Sequence, residues 1–194
     1  MRRETLITAP STEPVSLDEA KIELGVSLTE TGHNAYIQSL IASARKVCED
    51  ITNRKFITQT WDLFLDSFPS DCFVVPNPKL QSITSIKFYD ENGSEQTLST
   101  DVYEADGTGM VGTLSLKPNQ QWPSLQSDKR KAVAIRYVCG YGDASAVPPT
   151  IKQAILFLVC DWYDERGSTA QGTKNEIPNT LTLILASERV YDFA

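Results

Sequence analysis

Apolar side chains recur at Tyr36, Ile37, Leu40, Ile41, Ala44, Val47, Cys48 and Ile51, while Gln38, Ser43, Arg45, Lys46 and Glu49 fall on the other side. This is a 3.6-residue stripe and predicts a helix from Asn34 to Asn53. A second stripe runs through Ile151, Ala154, Ile155, Leu158, Val159, Trp162 and Tyr163. Pro148-Pro149 opens it, where a missing N–H is harmless, and Gly167 closes it. Two shorter helices flank these. Ser16-Leu17-Asp18-Glu19 has the form of a capping box, with Gly25 as the stop. Asn179 is a plausible N-cap for a last helix carrying Leu181, Ile184, Leu185 and Val190. Pro10 and Pro14 mark an extended arm before the first helix, and residues 167–176 are small, polar and aperiodic, as in a mobile loop.

Between the two long stripes the period changes. Phe56 to Leu65 is β-branched and aromatic, with Trp61, Leu63 and Leu65 on one face. Short strands follow at Phe73-Val74-Val75, Ile83 to Tyr89, Gln96-Thr97-Leu98, Val102-Tyr103-Glu104, Thr113 to Leu116 and Ala132 to Val138. Asn92-Gly93 is a strong hairpin signal between two of them. The expected fold class is α+β: a small helical bundle of about four helices with a β-rich insertion between the second and third. Residues 1–194 read as a single domain, with 1–55 and 146–194 as helical core and 56–145 as the insertion. The helices flanking the insertion must pack together, because neither stripe can stay in water.

Composition narrows the function. Of 194 residues, 41% are hydrophobic, enough for a real core. The net charge of −7 argues against a general nucleic-acid binder and against a partner for anionic membranes. Residues 57–131 carry most of the excess, with 6 basic against 10 acidic side chains. No run approaches the ~18 apolar residues of a membrane span, and the first residues lack the form of a signal peptide. Cys48, Cys72, Cys139 and Cys160 form no CxxC pair and read as free thiols.

Catalytic candidates are few. His33 is the single histidine, at a helix start where an exposed or capping role is expected, so neither a second candidate base nor a His-rich metal site is available. The acidic pairs Asp18/Glu19, Glu49/Asp50, Asp90/Glu91 and Asp164/Glu165 are adjacent in sequence, point apart on any regular element, and read as solvated charge. The glycine-rich stretch Asp106 to Gly112 lacks the Lys-Ser/Thr of a phosphate loop and reads as a turn. Lys129-Arg130-Lys131 is one short basic cluster. This inventory favours a binding or structural module.

An ordered set of segments gives the chain a likeness. Pro14 to Lys21, Leu40 to Arg54, Gln59-Thr60-Trp61-Asp62-Leu63, Ser82 to Asp90, Arg136 to Asp143, Val147 to Ile155, Trp162-Tyr163-Asp164 and Arg189-Val190-Tyr191 together resemble the head–tail connector (adaptor) proteins of long-tailed bacteriophages, in the subfamily with a β-rich insertion. The resemblance implies a virion protein of the neck, made in the host bacterial cytoplasm. Such proteins form a ring of about twelve subunits beneath the portal protein, extend the DNA channel and dock head-closure or tail proteins. Such proteins can be monomeric alone until they meet the portal. It also implies no enzyme activity, no cofactor, no membrane, and DNA that passes without specific binding.

Three surfaces follow as expectations. Arg189, Val190, Tyr191 and Phe193 would meet the portal; residues 1–14 and the tail from Val190 to Phe193 would order only on binding a partner. Trp162 and Tyr163 would make ring contacts, with an intramolecular core role as the alternative. Asp90, Glu91, Asp164 and Glu165 would face the channel. Runner-up functions are a head-closure or tail-completion protein, a small carboxylate-dependent phage hydrolase, and an acidic mimic of DNA. The hydrolase would need two carboxylates converging with perturbed pKa values.

Overall fold

The computed structural model describes residues 3–69, 72–109, 111–165 and 179–191. Along the chain come β1 (Arg3–Thr8), α1 (Leu17–Glu23), α2 (Asn34–Thr52), β2 (Gln59–Leu65), β3 (Phe73–Val75), β4 (Leu80–Tyr89), β5 (Glu95–Thr97), β6 (Tyr103–Asp106), β7 (Gly112–Leu116), β8 (Val133–Cys139), α3 (Pro149–Glu165) and α4 (Asn179–Ala186). The fold is α+β, as the periodicities predict. The chain divides into two compact units. One comprises Met1–Pro10 and Thr58–Tyr141; the other comprises Ser11–Ile57 and Gly142–Ala194.

The first unit is all β. A five-stranded antiparallel sheet has the order β1-β2-β8-β4-β5, and a three-stranded sheet the order β3-β7-β6. Alternation explains the core. Leu63 and Leu65 of β2, Val133, Ile135, Tyr137 and Cys139 of β8, and Ile86 and Phe88 of β4 cluster with Val75, Tyr103 and Leu114 of the smaller sheet. Trp61, on the same face, packs against this cluster while staying half-buried. Phe68 stacks on Trp122 with centroids 4.7 Å apart, closing one side. On the opposite face of the large sheet, Arg136 makes a two-pronged pair with Asp62 at 2.7 and 2.8 Å, between directly opposed residues of β8 and β2.

One strand was not legible as such. Residues 1–14 were expected to await a partner, but Arg3–Thr8 pairs antiparallel with β2, Leu6 opposite Trp61. The stretch Thr5-Leu6-Ile7-Thr8 has the β-branched composition of a strand. Its hydrogen-bonding partner lies far along the chain, so local pattern alone could not supply it.

The glycine-rich stretch proves to be a β6–β7 hairpin loop, tightened by Asp106, whose carboxylate accepts from the backbone N–H and the hydroxyl of Thr108. Gly107 and Gly112 are there for space. A Cβ on Gly112 would lie 2.2 Å from Leu80 Cβ, and one on Gly107 would lie 2.4 Å from the Leu80 carbonyl oxygen. Gly112→Ala therefore forces Leu80 out of the core and should cost about 1–3 kcal/mol. Thermal melts of the two proteins check this; equal midpoints would mean that the loop yields freely.

The second unit is helical. Ser16 Oγ accepts from Glu19 N–H at 3.1 Å and Glu19 Oε2 accepts from Ser16 N–H at 2.7 Å, the reciprocal box that the sequence predicts. These bonds hold the Glu19 carboxyl below its ordinary value. α2 buries Ile37, Leu40, Ile41, Ala44 and Cys48, and α3 buries Ile151, Ala154, Ile155, Leu158, Val159 and Tyr163. The two stripes pack against each other, with α1 and α4 alongside. α2 ends at Asn53, whose φ of 54° is the left-handed C-cap conformation.

Candidate functional site

Of the groups singled out from sequence, Asp90 and Glu91 lie in the β unit, and Trp162, Tyr163, Asp164, Glu165, Arg189, Val190 and Tyr191 lie in the helical unit. At the C-terminal side of the helical unit, the chain leaving α4 runs back onto the end of α2. Val190 N–H donates to the Thr52 carbonyl at 2.9 Å, and Asn53 Nδ2 donates to the Val190 carbonyl at 3.0 Å. Val190 is 7% exposed. The expectation that this segment lacks a local partner is thus corrected. Asn53 takes the left-handed turn that ends α2, and its side-chain amide and the Thr52 carbonyl are what Val190 bonds. Tyr191 points outward, 60% exposed, with the Arg189 guanidinium 5.4 Å from its ring. Phe193 lies outside the described residues.

Tyr163 is buried in the helical unit rather than presented outward. Its hydroxyl meets His33 Nδ1 at 2.7 Å, the two rings stand edge-on at 5.9 Å, and Tyr36 lies 6.1 Å away. His33 is exposed and occupies the N-cap position of α2 without a side-chain cap bond, so Tyr163 takes up its ring nitrogen instead. Tyr163 is 7% exposed, while its neighbour Trp162 is half-buried.

Among the acids, Asp164 and Glu165 are exposed at the end of α3. Asp90 is committed to its hairpin: it accepts from the N–H groups of Asn92 and Ser94 at 3.0 Å and from Gln96 Nε2 at 2.9 Å. The Gln96 bond, then the backbone bonds, hold its carboxyl below the ordinary range. Glu91 sits exposed at the tip.

Glu49 is the residue that sequence reasoning misplaced. Read as solvated charge, it is 2% exposed. Its carboxylate accepts from Phe56 N–H at 3.2 Å and pairs with Arg45 at 3.3 Å and Lys55 at 3.9 Å, while Arg45 Nε reaches Glu13 at 2.7 Å. The arm before α1 and the chain leaving α2 are pinned to one helix by this cluster. The helical stripe alone could not signal it, because a polar residue on the far side of a helix reads as solvent-facing until another segment covers it. Asp50, its neighbour, is exposed and bonds Lys46 one turn away.

The carboxylates with displaced values, Glu19, Asp66, Asp90, Asp106 and Asp143, all move down; at Glu19, Asp90, Asp106 and Asp143 the cause is a cap or turn that donates to the charged form. A general acid needs the opposite displacement. The Cys48 thiol is pushed up to about 12 by burial, which keeps it protonated and inert. Among the described residues no group of three His, Cys, Asp or Glu side chains could hold a metal, and no helix is long and apolar enough to cross a membrane.

A β unit and a helical unit that both leave large apolar side chains outward, Leu6, Ile7, Ile22 and Leu183 among them, offer the kind of surface an assembly protein uses. The profile of the head completion protein family (HCP) matches residues 16–189, so the chain belongs to that family of structural virion proteins. No curated protein matches it. Three solved structures share its fold at 18% identity. A chain in the neck of an empty GTA particle, computed with C6 symmetry, covers 99% of this chain and 97% of its own, with a TM-score of 0.80. A chain in the virion of a native gene transfer agent (GTA) particle covers 98% and 97%, at 0.78. A chain in the neck of a native GTA particle, computed with C12 symmetry, covers 98% and 97%, at 0.70.

Proposed function

We propose that this protein is a non-enzymatic connector of the virion neck. It assembles as a ring of about twelve copies beneath the portal protein, lines the DNA passage and receives head-closure or tail proteins on its far side. The observation that carries the reading is the full-length likeness to chains found in particle necks, described there with C6 and C12 symmetry. Family membership supports it. The acid excess suits a lumen that DNA must cross without adhering, with Glu91, Asp164 and Glu165 as its exposed candidates and Asp90, next to Glu91 in the chain, committed to its turn.

Arg189 and Tyr191 are the portal-facing candidates, since Val190 between them is spent on the fold. Replacing both, as Arg189→Ser with Tyr191→Ser, should weaken binding to the cognate portal at least tenfold and leave the unfolding midpoint where it was. Mass in solution, with and without that portal, reads ring formation directly. Undiminished portal binding removes this surface from the proposal; a protein that stays monomeric on the portal removes the ring.

A further inference from the structure

The five-stranded sheet has two open ends of opposite character. β1 forms one end: all six of its residues are exposed, and Leu6 and Ile7 are 42% and 45% accessible. β5 forms the other: it is three residues long, Glu95-Gln96-Thr97, all exposed. Proteins usually guard sheet edges with short strands, charges or bulges. β5 is short and carries an acid. β1 has a bulge at Ile7 and the charges Arg3 and Glu4, but it is twice as long, and Arg3 to Leu6 is a regular run ending in an exposed leucine. It is the longer and more apolar edge of the sheet.

We propose that β1 of one copy joins β5 of the next, so that the large sheet continues across the subunit boundary. This rests on the ring reading above and names its contact. A closed ring needs two different, complementary surfaces on every subunit, which the two ends of one sheet provide. Direction follows from topology. Each neighbour in the order β1-β2-β8-β4-β5 is antiparallel to the last, so β1 and β5 run the same way. Copies related by a small rotation therefore meet in a parallel pair. Facing follows from register. Thr5 lies opposite Asp62, on the sheet face away from the core; Glu95 and Thr97 lie opposite Tyr89 and Lys87, and Lys87 pairs with Glu95 on that face. A shift of one residue would turn every side chain to the wrong face, so Thr5 meets either Glu95 or Thr97.

Cysteine pairs in the full-length chain test this. In a Cys72→Ser background, Thr5→Cys is combined with Glu95→Cys or with Thr97→Cys, the protein is assembled on its portal, and an oxidant is added. Strands in one sheet are about 4.8 Å apart, within disulfide range. One of the two combinations should give a ladder of covalent multimers, and no single-cysteine protein should. Leu6→Lys with Ile7→Lys should leave the monomer's circular dichroism and melting midpoint unchanged and cut ring formation at least tenfold. Rings that form without a ladder overturn the edge contact while the ring stands. Dimers from Thr5→Cys alone, or cross-links to another virion protein, overturn it in favour of a β1–β1 or a foreign strand. If wild-type protein forms no ring on its portal, the ring reading and this contact fall together.

Discussion

Glu49→Ala should unfold far below the parent protein. The substitution leaves Arg45 and Lys55 beside a cavity with their shared buried carboxylate gone, and it strips the Phe56 N–H of an acceptor. Breaking a buried ion pair from one side costs about 3–5 kcal/mol, because the remaining charge stays desolvated. For a chain of this size each kcal/mol moves the midpoint by roughly 2–4 °C, so a drop on the order of 10 °C is expected by scanning calorimetry. Glu49→Gln keeps an oxygen for Phe56 and should fall between the two. A midpoint within 2 °C of the parent would show that water reaches the cluster and that the pairing is of surface strength.

A chain ending at Glu188 should lose about 2–4 kcal/mol, although it removes only the last six residues. Val190 contributes a buried side chain and two hydrogen bonds to the end of α2. The urea midpoint should fall with little change in slope, and α2 should fray at Thr52 and Asn53, visible as faster amide exchange there. An unchanged midpoint would return the segment to a purely docking role. The contrast with Arg189→Ser/Tyr191→Ser is useful: truncation mixes folding with docking, while the exposed pair isolates docking.

The two largest effects fall where sequence reading erred, and for one reason. Both Glu49 and Val190 lie where chain from outside a helix covers its end. Periodicity reports what a helix wants to bury by itself; it is blind to a carboxylate made interior by Glu13, Lys55 and Phe56 arriving from outside the helix. The same blindness hid β1, whose partner is supplied by β2 only after the intervening chain has folded. Asp90 shows the reverse case. The Asn-Gly turn beside it was plain from sequence, while its role as the acceptor that organises that turn needed coordinates.

What the sequence determined by itself was local and periodic: the capping box at Ser16, the stripes of α2 and α3, the alternation of β2, β4 and β8, and the hairpin at Asn92-Gly93. These follow from geometry within a few residues, 3.6 per helical turn and two per strand repeat. The ordered set of segments also carried the family likeness, since order along the chain is a property of sequence. Tertiary structure alone decided the sheet order, the enlistment of the N-terminal strand, the burial of Glu49, and which side of the C-terminal segment faces out. Each of these depends on contacts between residues far apart in the chain, whose energy is realised only when the elements meet.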